Sequence, residues 1–257
     1  ANQNMDLIYE LIDKAKNKTL TDKFANTNVS QARALYDIIK NISSNIIYNN
    51  KDKETKLDNN KALSIDRFDI SKFTFYSGGA LGSDTYWSEE SKKYGINVKH
   101  YTVDDWDKLS PEWKNKLNNE YLQVVRFLGR KALSMDSYSG KLIRRDMMQA
   151  DKADSIFAIG TVTNKGFISG GTAYAAARGF MRNIPVYLFD QEDNVWKSWN
   201  GHKFVKLDTI PTLTKNSAVI GTRELLDNGK KAIQDVLKYT VEDYKETLAR
   251  LNKTSHD

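Results

Sequence analysis

The sequence has no cysteine, which excludes disulfides and thiolate chemistry. It has three prolines in all, and residues 1–70 contain neither proline nor glycine. No apolar run approaches the ~18 residues that a membrane span needs. The opening stretch "ANQNMDLIYELIDKAKNK" lacks the apolar region of a secretory leader, because Asp6, Glu10 and Asp13 interrupt it. Together these absences predict a cytoplasmic protein with no membrane contact. Histidine is also scarce: His100, His202 and His256 are dispersed, so no metal site and no Ser-His-Asp triad is expected. Nothing in the sequence calls for a resident cofactor.

Apolar residues make up 40% of the 257, enough for a substantial core. The net charge is +6, but Lys and Arg are scattered, with only short pairs such as Arg144-Arg145 and Lys230-Lys231. That pattern predicts a generic basic surface, compatible with an anionic small-molecule ligand. Basic and aromatic residues are not interleaved in any one segment as a single-strand stacking groove would need. A nucleic-acid partner is therefore allowed but not favoured.

Residues 1–70 read as a helical extension. "MDLIYELIDKA" sets Leu7, Ile8, Leu11, Ile12 and Ala15 on one face, and "VSQARALYDIIKNISSNII" does the same with Ala32, Leu35, Ile39, Ile42 and Ile46. The polar run Tyr48 to Lys61 reads as a linker. These helices carry too few apolar groups for a core of their own. Their apolar face is expected to pack on the rest of the chain or across a two-fold interface, which predicts a homodimer.

From Phe73 onward, short apolar strands alternate with helices. "FTFYSG", "INVKHYTV", "DSIFAIG", "IPVYLFD" and "NSAVIG" read as strands. "DTYWSEESKKYG", "SPEWKNKLNNEYLQVVRFLGR", "GKLIRRDMMQADKA", "GGTAYAAARGFMRN" and "TRELLDNGKKAIQDVLKYT" read as helices. Ser110 serves as N-cap and Pro111 as the first helical residue of the second of these. The alternation predicts an α/β domain over 71–257, a Rossmann-like parallel sheet with helices on both faces.

In such a sheet, ligands bind beyond the carboxyl ends of the strands. One strand end is "SGGALGSD". Gly78, Gly79 and Gly82 let backbone amides approach a ligand, Ser77 and Ser83 add hydroxyls, and the following helix start favours an anion. Its spacing is neither that of a dinucleotide fingerprint nor that of a Walker loop. A second strand end leads to Gly170, Gly171 and Thr172, which open an alanine-rich helix. Asp190 and Arg223 lie at two further strand ends. Arg144-Arg145 can clamp a phosphate or carboxylate from the helix before "ADSIFAIG". Trp196 and Trp199 either cover a nucleobase or anchor a loop over the core.

This ordered set resembles the SLOG superfamily of Rossmann-like nucleotide-binding domains. Its members include the "lonely guy" phosphoribohydrolases, and the DNA-processing protein DprA carries a related core. The likeness spans about residues 73–190. Gly78, Gly79 and Gly82 match the first loop, Arg144 the family's arginine and Asp154 the acidic residue opening the next strand. Gly170, Gly171 and Thr172 match a shortened form of the Pro-Gly-Gly-x-Gly-Thr-x-x-Glu motif. The position of that motif's catalytic glutamate is Ala175 here. The resemblance implies a nucleotide ligand, dimerisation and chemistry at an N-glycosidic bond, with Asp84 as the substitute carboxylate and Arg144 as the phosphate clamp. The missing glutamate leaves open a non-catalytic nucleotide sensor or sequestering protein. Single-stranded nucleic-acid binding is a further alternative.

Overall fold

The computed structural model describes residues 69–253. The expected helical extension, and the dimer interface expected of it, lie outside these residues. The described part is a Rossmann-like α/β domain built on one seven-stranded sheet, in the order β2-β1-β7-β3-β4-β5-β6. The strands are β1 (Thr74–Ser77), β2 (Asn97–His100), β3 (Ser155–Gly160), β4 (Val186–Asp190), β5 (Val195–Trp199), β6 (Phe204–Lys206) and β7 (Asn216–Gly221). The helices are α1 (Ser83–Lys92), α2 (Val103–Asp107), α3 (Pro111–Phe127), α4 (Tyr138–Gln149), α5 (Thr172–Met181) and α6 (Asp227–Lys253). Among the described residues, no helix is long and apolar enough to cross a membrane.

β2, β1, β7, β3 and β4 are parallel, and the central β3 is buried along its whole length. Successive side chains of its "SIFAIG" run feed two cores. Ile156 and Ala158 join Tyr76, Ala218, Ile220 and the alanines of α5 on one face. Phe157 and Ile159 join Phe75, Trp87, Val219, Ile233 and Leu237 on the other, beneath α1 and α6. A strand buried on both faces reads as a continuous apolar run.

Two elements differ from the sequence reading. "INVKHYTV" is a strand only to His100. Thr102 then opens α2 through a capping box, its hydroxyl accepting from Asp105 N while Asp105 Oδ2 accepts from Thr102 N. The sheet is also not wholly parallel. After β4 the chain turns back into the antiparallel strands β5 and β6. The tryptophans there are wall residues: Trp196 packs edge-on to Phe157 and Phe189, and Trp199 stacks on Phe180. Short strands in a tryptophan-rich, turn-rich segment have weak periodicity, so the sequence assigns no strand here.

The start of α1 is fastened to the end of β7. Ser83 N and Oγ both donate to Thr222 O, at 3.0 and 2.7 Å. A Cβ on Gly221 would lie 2.6 Å from Ser83 Cβ and 2.7 Å from the Ile159 carbonyl oxygen. Gly221→Ala is therefore expected to destabilise the fold by about 1–3 kcal/mol through overpacking. Urea unfolding measures it, and an unchanged midpoint would show that α1 is not held by this contact.

Candidate functional site

The chain leaves β1 for α1 on one face and leaves β3 for α5 on the other. β7 lies between them, so the carboxyl ends at Ser77, Gly160 and Gly221 form the sheet's switch point. The loop after β1 runs along its edge. Gly82, at φ +95°, adopts a backbone that other residues rarely take, and a Cβ on it would lie 2.7 Å from Arg223 Cα.

Asp84, in the first turn of α1, folds back on that loop. Its Oδ2 accepts from Gly78 N at 3.1 Å and from Ala80 N at 3.4 Å. Two amides expected to face a ligand thus face an internal carboxylate. Asp84 is 5% exposed. Burial raises its pKa to about 6, against the pull of the Ala80 amide, the Arg145 charge and the Gly78 and Gly221 amides.

The opposite wall is α4, which presents Arg145, Asp146 and Gln149. Gly78 makes room for them. A Cβ there would overlap Arg145 Nη1 and lie 2.6 Å from Gln149 Nε2 and 2.8 Å from Asp84 Oδ2. Arg145 is 6% exposed, yet its Nε and Nη1 have no hydrogen-bond partner. Nη1 lies 3.2 Å from Asp146 Oδ1 as an ion contact that lacks hydrogen-bond geometry. Gln149 Nε2 donates to the same oxygen at 3.3 Å. Asp146 Oδ2 sits at the amino end of α5, 3.1 Å from where a Cβ on Gly171 would be. Burial raises the Asp146 pKa to about 7; Arg145 and Arg223 oppose the rise and Asp84 adds to it. Gly171, which precedes α5, supplies no side-chain cap, and of the first-turn amides Tyr174 N is taken by Gly171 O; the amides before it are placed to meet an anion.

His100 flanks the crevice from the end of β2. Its ring lies against Gly79, Nε2 is 3.2 Å from Ser88 Oγ, and the buried Nδ1 has no partner. Burial lowers its pKa, and the charges of Lys92 and Arg145 add to that. The ring is accordingly neutral at pH 7.

The other residues singled out in the sequence divide by location. Ser77 is fully buried, with its hydroxyl unpartnered beneath the loop. Ser83 is committed to Thr222 O. Arg223 is exposed at the mouth, within electrostatic reach of Asp146. Gly170 holds φ +69° and its carbonyl accepts from Arg130 Nη1, while Thr172 opens α5. Asp190 is buried at the end of β4, bound to Lys197 Nζ at 2.7 Å and to the Glu192 amide at 3.2 Å. Arg144 points away from the crevice. It donates to Asn118 Oδ1, Gly140 O and Leu133 O, and its guanidinium stacks 3.9 Å from the Tyr121 ring centroid. The neighbouring arginine, Arg145, is the one that faces the carboxylates. One residue along a helix rotates a side chain by about 100°, so the sequence alone does not say which member of an Arg-Arg pair faces the crevice. Gln149 and His100 are not among the residues the sequence points to, and Asp146 enters there only as the acid beside the arginine pair; their place in the crevice depends on how α4 and β2 pack against the β1–α1 loop. The doublet with an acid beside it, "RRD", was the one available signal.

Chemically, the crevice combines a buried cation with unspent donors, two carboxyl groups that exchange protons near neutrality, and an uncapped helix start. Such a set is chemically suited to an anionic ligand and to proton transfer.

Arg144→Met is expected to lower stability by about 3 kcal/mol or more, because it strands buried carbonyls and the Asn118 amide oxygen. Arg145→Met is expected to cost less, about 1 kcal/mol, since its guanidinium has one ion contact, to Asp146, and no hydrogen bond from Nε or Nη1, and the carboxyls beside it can take up a proton. Urea unfolding of both variants checks this, and the reverse ranking would exchange their roles. The carboxyls add a pH signature. The folded pKa values lie above the ordinary value near 4, so the folded protein holds these protons more tightly than the unfolded chain does. Their contribution to stability is greatest below about pH 4 and declines as pH rises through the range 4–7. Asp146→Asn should match the parent near pH 4 and exceed it near pH 8, by on the order of 2–4 kcal/mol. Equal stability at both pH values would place the Asp146 carboxyl in water.

No protein-family model, no curated protein and no solved structure matches this chain, so its fold and its crevice stand on their own geometry.

Proposed function

We propose that this domain binds an anionic nucleotide in the crevice at the switch point and cleaves or transfers at its N-glycosidic bond. The observation that carries the reading is Arg145: a guanidinium 6% exposed, with Nε and Nη1 unpartnered, beside Asp84 and Asp146. A buried cation with free donors is costly until an anion completes it. A phosphate bound by Arg145, Arg223 and the uncapped start of α5 supplies that anion. Asp84, already amide-bonded and adjacent, then stabilises the positive charge that develops at the sugar C1′ as the bond to the base lengthens. In this assignment the phosphate clamp expected at Arg144 falls to Arg145.

A second reading, a sensor that holds a nucleotide without turning it over, is favoured by one observation. Asp84 Oδ2 is occupied by Gly78 N and Ala80 N, an arrangement that also serves a purely structural carboxylate.

Incubation with a panel of nucleoside monophosphates and NAD, read by release of free base, separates the two. The enzyme reading expects base release that Asp84→Asn slows on the order of 10²-fold or more, with Arg145→Met acting mainly on KM. Absence of release from every compound, or release undiminished in Asp84→Asn, overturns the mechanism. An intact nucleotide recovered by mass spectrometry from protein that releases no base establishes the sensor.

A further inference from the structure

The alanine-rich α5 brings no carboxylate to the crevice. Ala175, at the position where the resembling family has its glutamate, is 1% exposed and packed in the core between α5 and the sheet. A carboxyl reaches the same corner from a different element. Asp146, on α4, sets Oδ2 against Gly171 at the amino end of α5, while Gln149 Nε2 holds Oδ1. The two crevice carboxyls have unlike surroundings. Asp84 receives two backbone amides, which stabilise an anion. Asp146 receives one side-chain amide and sits in the field of Asp84, which favours its acid form. The groups facing it are Arg145 and Gln149 from its own helix, Asp84 from α1, Arg223 from the loop after β7, and the uncapped start of α5. Paired carboxyls whose environments differ in this way divide the roles of acid and anion between them. Beside both carboxyls, Arg145 is 6% exposed and leaves Nε and Nη1 without hydrogen-bond partners, which an anionic ligand would complete.

Resting on the N-glycosidic reading above, we infer that Asp146 is the proton donor to the departing base, so that the substrates are nucleotides whose base leaves poorly unless protonated. In the step, the bond between C1′ and the base nitrogen breaks and its electron pair leaves with the base. The Asp146 hydroxyl proton moves to a ring nitrogen of that base, while Asp84 faces the cationic C1′. Water then adds to C1′, and the proton it sheds returns to Asp146. The net change is nucleotide plus water to free base plus sugar phosphate. Asp146 thereby takes over work that no residue of α5 performs.

The test compares two nucleotides in the full chain. AMP loses adenine, a base that needs a proton; nicotinamide mononucleotide loses a base that departs neutral without one. Asp146→Asn is expected to lower kcat on AMP on the order of 10²-fold, and to change kcat on nicotinamide mononucleotide by less than about threefold, with little change in either KM. A second readout needs no variant. In the parent, kcat on AMP falls as pH rises through about 7, the Asp146 value, whereas kcat on nicotinamide mononucleotide has no such limb. Equal slowing of both substrates, the same alkaline limb for both, or cleavage of nicotinamide mononucleotide alone overturns the inference and leaves the N-glycosidic reading standing. If AMP alone is cleaved, loss of the alkaline limb in Asp146→Asn supports the inference and its retention overturns it. Cleavage of neither overturns the reading and the inference together.

Discussion

The absent side chain of Gly78 is the constraint around which the crevice is arranged. Arg145 and Gln149 from α4 and Asp84 from α1 converge on the volume that a Cβ there would fill. The two helices lie on opposite faces of the sheet, and they meet only where β1 ends and the chain crosses its edge. A larger residue would drive the arginine away from the carboxylate, and the two walls would lose their electrostatic connection. The glycine cluster thus serves first to let protein groups approach one another. Its amides at 78 and 80 are spent on Asp84, which leaves Arg145 and the start of α5 as the groups with open donors.

Arg144 and Arg145 show how differently adjacent residues can be used. Arg144 is held by three oxygen acceptors, from Asn118, Gly140 and Leu133, and by the Tyr121 ring. It ties the loop before α4 and the body of α3 to α4, which is work for the fold. Arg145 has one ion contact and open donors. A cation satisfied on every side gains nothing from a ligand. One left incomplete in a buried setting gains the whole of a new charge-assisted contact. The same contrast separates the acids: Asp190 is neutralised by Lys197, whereas Asp84 and Asp146 share one arginine between them.

Proton chemistry near neutrality follows from that shared cation. Burial works against ionising either carboxyl, and a single guanidinium cannot compensate two charges at close quarters. The amides of the β1–α1 loop tip the balance at Asp84 and not at Asp146. Both carboxyls are thus held above the ordinary carboxylate range, Asp84 with two loop amides on it and Asp146 with one side-chain amide.

The sequence by itself determined the α/β class and the place of the crevice. Alternating apolar runs and helical periods specify strands and helices locally, and strand-to-helix turns rich in glycine mark carboxyl ends wherever they fall. Ser110 and Pro111 announced the start of α3 for the same local reason. Tertiary structure decided the rest. The return of β7 between β1 and β3 brings Gly221 and Arg223 to the first loop across more than a hundred residues, and no local pattern encodes that pairing. The antiparallel strands β5 and β6 form because β4 offers them an edge, not because their own periodicity is strong. Which of two adjacent arginines faces the crevice depends on the rotation of α4 against the sheet, which packing settles. Asp146 acquires its meaning only there, since a carboxyl becomes an acid through burial and through the charges that other elements set beside it.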